Sequence, residues 1–356
     1  MTQMARQQQI ADLAAKVRFL SEPATYGRGT THVQARETHM SWVFLTDELV
    51  YKLKKPVRHA FLDFSSIGKR HFYCDEELRL NARLAAETYR RVIPLCHDAS
   101  GHFALDGSGR VVDWLVEMKR LPQSDMMDER IGSGRLTTAE INNVGKTLVT
   151  FYAQRQTETA GGGAYLRHLT GEQRINRAIL LRPEFAMCDI ASGPLDIVDG
   201  LLQRLRPRIE ARIRLGAIVE GHGDLRPEHI CLCQPLQIID CLEFNRSMRI
   251  VDPYDEINYL GLECEMLGAP WIRPLLIQGL ESRLPNRPDG NLLAFYGGYR
   301  ALLRARLCVA HLLEAPVRHP EKWRPLAIRY IKQAERETFS LRSRSVRRLT
   351  PVCGDA

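Results

Sequence analysis

Apolar residues recur at helical spacing early in the chain, at Ile10, Leu13, Ala14, Val17 and Leu20. After Pro23 and Gly27-Arg28-Gly29 the pattern changes to short runs of strand character at 32–37, 41–45 and 49–53. The polar turn Thr46-Asp47-Glu48 joins the last two. Leu78, Leu80 and Leu84 predict a helix over about 69–86, and two further strands are expected at 103–105 and 111–118 around the turn Asp106-Gly107-Ser108-Gly109. Strands, one helix and more strands describe a small sheet-rich lobe.

Beyond Leu121-Pro122 the periodicity turns helical. Ile141, Val144, Leu148 and Phe151 mark a helix over 137–153, followed by a loop at Gly161-Gly162-Gly163 and helices near 173–181 and 197–213. A hairpin of 230–232 with 236–239 is the only strand material expected in this half. Helices follow at 294–313 and 322–339. The pattern predicts an α+β, two-lobed chain: a helical extension over 1–30, the sheet-rich lobe over 31–121, a helical lobe over 122–340 and a basic tail over 341–356.

The net charge of +8 and pI near 9.1 favour anionic partners, nucleotides and nucleic acid among them. No basic stripe is interleaved with aromatics in the manner of single-strand binders, which argues against nucleic acid. Arg342, Arg344, Arg347 and Arg348 make the tail a solvated end. Nine cysteines occur without any Cys-x-x-Cys pair, as expected of reduced thiols in a cytoplasmic protein. The first residues lack the apolar core of a signal peptide, and no apolar run has the length of a membrane span, so no membrane partner is expected.

The densest chemistry is Gly221-His222-Gly223-Asp224-Leu225-Arg226-Pro227-Glu228-His229, followed after the hairpin by Ile238-Ile239-Asp240-Cys241-Leu242-Glu243. Asp224 sits in a Gly-flanked loop, the place of a carboxylate that orients an acceptor hydroxyl and takes its proton. Its alternative is a cap on the turn begun at Pro227. His222 is read as a structural residue that shapes the loop. Asp240 ends an apolar strand, where one carboxylate with phosphate oxygens suits magnesium, and Glu243 either assists it or faces solvent. Asp252 and Pro253 read as the N-cap and first turn of a helix, with Asp255 in that turn. In Val50-Tyr51-Lys52-Leu53-Lys54 the two lysines share a strand face, solvated or phosphate-binding; Lys52 lies deeper and is preferred. Glu76 and Glu77 are the candidate acidic partners. The strand ending at Met118 before Leu121-Pro122 suits a hinge whose backbone pairs with a nucleobase.

In this order the pieces resemble the aminoglycoside phosphotransferase and choline kinase branch of the protein-kinase-like fold. Thr38 to Leu45, Val50 to Val57, Phe61-Leu62-Asp63-Phe64, Glu76 to Asn81, Gly221 to Leu232 and Asp240 to Asn245 are similar to a bacterial phosphotransferase-like subfamily, some members of which are fused to a P-loop ATPase. The resemblance implies Asp224 as catalytic aspartate, Asp240 as metal ligand, Lys52 as phosphate contact and Glu77 as its partner. It places Ser41 in the turn over the phosphates, with ATP and magnesium bound and a small molecule as acceptor. Residues 31–121 become the nucleotide-binding lobe. His229 stands where the wider family carries a second magnesium ligand, asparagine. That departure motivates a second reading, a regulator that binds nucleotide or a protein partner without phosphoryl transfer. No Gly-x-x-x-x-Gly-Lys-Ser/Thr loop is present, so the ATPase part is not expected in this chain.

Two side readings complete the picture. His229, Cys231, Cys233 and Cys241 cluster around the hairpin and include ligand types for zinc, although paired knuckles are missing. Tyr296, Tyr299, Arg300, Arg304 and Arg306 are candidates to line an acceptor cleft, against a packing role for the same residues.

Overall fold

A computed structural model describes residues 3–27, 29–59, 61–154, 162–284, 286–313, 317 and 319–346. The chain divides into two compact units, residues 1–136 with 227–246, and residues 137–226 with 247–356. Arg347 and Arg348 of the basic tail lie outside the described residues.

The first unit opens with α1 (Gln3–Leu20) and builds an antiparallel sheet from β1 (Gln34–Glu37), β2 (Ser41–Leu45), β3 (Leu49–Lys54), β6 (Tyr89–His97), β7 (Phe103–Leu105) and β8 (Arg110–Lys119). The order is β1-β2-β3-β8-β6-β7. A small hairpin of β4 (Arg58–His59) and β5 (Leu62–Asp63) precedes α2 (Ile67–Asn81). Ser66 starts α2 by accepting from the Lys69 N–H, and the helix ends earlier than the apolar spacing suggests. Leu20, Phe44, Leu53, Leu95 and Leu115 pack one face of the sheet, and Cys74, Ala85, Tyr89, Val116 and Met118 form a second apolar cluster with α2.

β6 has no counterpart in the sequence pattern, because Pro94 interrupts its run. The fold tolerates the proline because it lies just beyond the last β6–β7 pair, Leu95 with Leu105, where its carbonyl still accepts the Asp106 N–H at 2.9 Å and only the donor that a proline lacks is missing. Bulges at Tyr89/Arg91 and Leu95/Cys96 absorb the irregularity.

The last part of this unit is α3 (Met127–Gly132) and a hairpin of two-residue strands, β10 (Ile230–Cys231) and β11 (Gln237–Ile238). The Ile238 N–H donates to Leu84 O at 3.1 Å, Cys241 N–H to Asn81 Oδ1 at 2.8 Å and Leu232 N–H to Asp125 O at 2.8 Å. These bonds tie the hairpin to the end of α2 and to the segment before α3.

The second unit is helical: α4 (Thr138–Ala153), α5 (Gly162–Leu180), α6 (Cys188–Arg214), α7 (Pro253–Met266), α8 (Ile272–Glu281), α9 (Gly290–Ala310) and α10 (Pro320–Val346). A capping box of Thr137 and Glu140 starts α4. Gly162 and Gly163 open α5 instead of forming a loop, and Gly161 lies outside the described residues. The helices expected at 173–181 and 197–213 are the second halves of α5 and α6, because the same apolar core continues toward their starts through Leu166, Leu169 and Ala191. The hairpin is not the only strand material of this half: β9 (Val219–Glu220) pairs antiparallel with β12 (Ile250–Val251). No described helix is long and apolar enough to cross a membrane.

Candidate active site

In the first unit, β2–β3 pairing sets Ser41 opposite Lys54 and Val43 opposite Lys52. Lys52 Nζ lies 2.8 Å from Glu77 Oε1 and 2.7 Å from Asp240 Oδ1. Lys54 Nζ lies 2.6 Å from Glu77 Oε2 and also pairs with Glu243. His229 Nε2 approaches Asp240 Oδ2 to 3.6 Å. Lys52, Glu77, Asp240 and His229, all singled out in the sequence, therefore meet in one ionic cluster. Lys54 and Glu243 belong to it as well. Glu243 does not face solvent, and its burial follows from the pairing with Lys54. Glu76 pairs instead with Arg79 on the outer face of α2.

Charge and solvent access differ within the cluster. Lys54 and Glu77 are fully buried, whereas the Asp240 side chain is 45% exposed. Burial raises the Glu77 pKa, but the attraction of Lys52 and Lys54 outweighs it and holds the group below the usual glutamate value. For Glu243 burial dominates and pushes the group up. The difference follows from geometry, since both lysines flank Glu77 and only Lys54 contacts Glu243. Lys52 is held well above its ordinary value: burial pulls it down, and Asp240, Glu77 and Glu243 overcome that pull. It stays charged at any working pH.

Asp240 follows β11 with φ +62, in the left-handed region that a non-glycine residue seldom adopts. Its N–H donates to Tyr89 Oη at 3.1 Å. A strained backbone held by buried neighbours is a mark of functional positions. Ser41 is buried, and its N–H donates to Thr38 Oγ1 at 3.0 Å, closing the turn between β1 and β2. Met118 pairs with Val50 on one side and Tyr89 on the other, and its side chain packs in the apolar cluster.

The residues fit a magnesium ion only in part. Two lysines against the carboxylates of Glu77, Asp240 and Glu243 leave one surplus negative charge, and Asp240 reaches solvent. Among the described residues, however, no group of three or more His, Cys, Asp or Glu side chains is placed to hold a metal. Magnesium habitually takes one or two carboxylates with water and phosphate oxygens, so Asp240 fits a site completed by a nucleotide. The zinc reading of His229, Cys231, Cys233 and Cys241 has no such ligand group behind it. Cys231 is fully buried, and the Cys233 thiol donates to Pro235 O at 3.3 Å.

In the second unit, Asp224 lies in the loop after β9. Tyr259 Oη donates to Asp224 Oδ1 at 3.3 Å, and Arg226 Nε approaches the same oxygen to 3.2 Å. Burial holds the Tyr259 phenol well above its ordinary value, so it stays a donor. The loop is fixed by Glu256, in the first turn of α7. Glu256 Oε1 accepts the Gly223 N–H at 2.6 Å, Oε2 accepts the His222 N–H at 3.0 Å, and Oε2 also accepts Tyr152 Oη at 2.7 Å. Gly223 has φ +91, and a Cβ on Gly221 would meet Glu256 Oε2 at 2.6 Å and Val251 Cγ2 at 2.5 Å. The glycines are there to let a carboxylate close on the backbone. His222 is fully buried, and its Nδ1 receives the Asp224 N–H at 3.3 Å, as its structural reading requires.

Asp252 caps α7 through the Tyr254 N–H at 3.0 Å and pairs with Arg212, while Asp255 binds Arg300 at 2.9 and 2.6 Å. Glu256, the brace itself, escaped the sequence reading; its only signal was a third acid in the first turn of a capped helix. The candidate acceptor residues on α9 are engaged inside this unit. Arg300 holds Asp255, Arg304 holds Glu263, Arg306 holds Glu172, and Tyr296 Oη donates to Asp252 at 3.0 Å. Packing, not a cleft, explains them.

No protein-family model matches the chain. It is 28% identical over 295 residues to uncharacterised proteins of Mycobacterium tuberculosis and Mycobacterium bovis, an alignment covering 78% of this chain and 55% of each relative. The chain thus spans about half the length of the curated relatives it matches. Among solved structures it is similar to a thermostable mutant of aminoglycoside phosphotransferase APH(4)-Ia, with TM-score 0.54 and 12% identity over 91% of this chain and 98% of that one. It is also similar to choline kinase from Cryptosporidium parvum, with TM-score 0.52 and 10% identity over 95% of this chain and 99% of that one. A ternary complex of the phosphotransferase mutant with AMP-PNP and hygromycin B aligns at TM-score 0.51 and 11% identity, over 90% of this chain and 97% of that one. The chain has an α+β, protein-kinase-like fold, shared with these small-molecule phosphotransferases.

Proposed function

We propose that the chain is an ATP-dependent phosphotransferase acting on a hydroxyl of a small-molecule acceptor. The observation that carries this reading is Lys52 Nζ held between Glu77 at 2.8 Å and the solvent-reaching Asp240 at 2.7 Å. A permanently charged lysine on a sheet, beside an accessible carboxylate, suits a bound polyphosphate and its cation. Lys52 neutralises phosphate charge and Glu77 fixes the lysine. Asp240 holds magnesium with phosphate oxygens, with His229 as its neighbour. Ser41 belongs to the turn over the phosphates, and Met118, near the end of β8, borders the position of the nucleobase. Bound magnesium supplies charge neutralisation on the phosphates.

Asp224 orients the acceptor hydroxyl and takes its proton as the new oxygen–phosphorus bond forms and the bond to the ADP leaving group breaks. Tyr259 and Arg226 keep that carboxylate in place. The fold shared with phosphotransferases that take AMP-PNP and hygromycin B supports the class and leaves the acceptor open.

The test is phosphoryl transfer from magnesium-ATP to a panel of hydroxyl metabolites. Asp224→Ala is expected to lower turnover roughly 100- to 10,000-fold, with the calorimetric affinity for ATP little changed. Full activity of Asp224→Ala on an identified acceptor would falsify the assignment. Saturable ATP binding without transfer to any acceptor would point to the regulator instead.

A further inference from the structure

The helical unit carries a second concave surface, built from residues different from those above. Between α5 and α6 runs a groove of about 760 Å³. Leu166 and Ile213 are its apolar lining, and Arg167, Arg174, Arg206 and Arg214 line it too, with Glu210 as the one acid among the described residues. Arg167, Gly171 and Arg174 recur four and three residues apart, so they share one face of α5; Arg206, Glu210 and Arg214 do the same on α6. Two helices therefore aim guanidinium groups into one space. Glu210 pairs with Arg206 at 2.9 Å. Among the described residues no carboxylate pairs with Arg167, Arg174 or Arg214. Among the described residues, four guanidinium groups against one carboxylate leave three surplus positive charges.

A solvated helix face spreads its charges outward, where salt screens them within about 8 Å. Here four exposed arginines from two helices border one open groove, whose volume lies in the range of small-ligand sites, roughly 300–1,000 Å³. Guanidinium forks match phosphate oxygens two at a time. We propose that the groove binds a small, multiply charged phosphate-bearing anion. The concave shape selects a soluble molecule over an extended polymer. The site does not depend on the phosphotransferase reading.

Gly171 makes the test clean. It has an ordinary helical backbone, and a Cβ built there meets nothing within 4 Å, so a side chain enters open space. Any other ordinary residue also favours the helix over glycine. Tripolyphosphate is titrated calorimetrically into the full chain at about 150 mM salt, close to physiological ionic strength. The Lys52→Ala protein serves as background, which removes the nucleotide reading from the measurement. Saturable binding is expected to survive Lys52→Ala. Adding Gly171→Glu, or separately Arg174→Ser, is expected to weaken it about tenfold or more, since the first sets a competing carboxylate among the guanidinium groups and the second removes one of them. Circular dichroism and thermal melting confirm that both variants stay folded. Loss of all binding in Lys52→Ala assigns the anion to the lysine cluster and overturns the proposal. Binding unchanged by both groove variants, or absent from the wild type, overturns it as well.

Discussion

Asp240 and Asp224 are presented by opposite means. Asp240 is held by side-chain charge, with Lys52 on one oxygen and His229 near the other, on a left-handed backbone. The Asp224 loop is held through its main chain, because Glu256 locks the two amides before it and glycine removes the steric obstacle, while Tyr259 and Arg226 meet the carboxylate itself. The first arrangement depends on ionisation and adjusts when a competing charge arrives. The second fixes the backbone of the loop, through two amides bonded to one buried carboxylate. A carboxylate that must exchange partners with a cation suits the first, and one that must sit still beside a hydroxyl suits the second.

This contrast can be broken in order of expected effect. Glu77→Ala takes one of its two carboxylates from the fully buried Lys54, leaving Glu243 as the other, and also unpairs Lys52 from α2; it is expected to cost up to about 3–5 kcal/mol of stability in urea denaturation. Lys52→Ala should cost far less, because Asp240 reaches water and Glu77 keeps Lys54; equal losses would remove the distinction between the two lysines. Glu256→Ala orphans the His222 and Gly223 amides and the Tyr152 hydroxyl, for an expected loss of roughly 2–4 kcal/mol. Gly221→Ala forces a methyl against Val251 and Glu256 and is expected to cost about 1–3 kcal/mol. If it proves neutral, the tight closure of the loop is wrong.

Acid separates the two regions more gently. The Glu77 pKa is lowered in the fold, so the unfolded chain binds its proton more readily. Its contribution is complete above the ordinary glutamate value of about 4.3 and is lost as pH falls below it. Glu243, raised by burial, acts with the opposite sign and loses stability as pH climbs through the interval above that value. Denaturation midpoints across acid pH should therefore flatten in Glu77→Gln on the acid side. An unchanged slope would show that Glu77 is not ionised against the lysines.

Much of this architecture was legible because the relevant signals are local. Alternation marked β2 and β3, helical spacing marked α2 and α4, and the Asp252-Pro253 cap marked α7. β6 was hidden by Pro94, whose tolerance depends on how far a neighbouring strand extends. The start of α5 was hidden because its glycines read as a loop, and the first half of α6 shows as helix only in the apolar core, which Ala191 joins. On the site, the lysine pair and two acids announced themselves by type and spacing. That Glu77 serves both lysines, and that Glu243 is buried with Lys54, required the packing of α2 and the hairpin onto β3.

The sequence by itself determined which residue types were available and on which local element each would lie, since strand alternation, caps and glycine turns act over a few residues. Only the tertiary structure decided who meets whom. It gave Arg300 and Arg304 to buried acids instead of a ligand, gave Glu256 to a loop distant in sequence, and brought arginines of α5 and α6 to one groove. The reason is physical: a charge's partner depends on separation in space and on burial, and no pattern along the chain encodes either one.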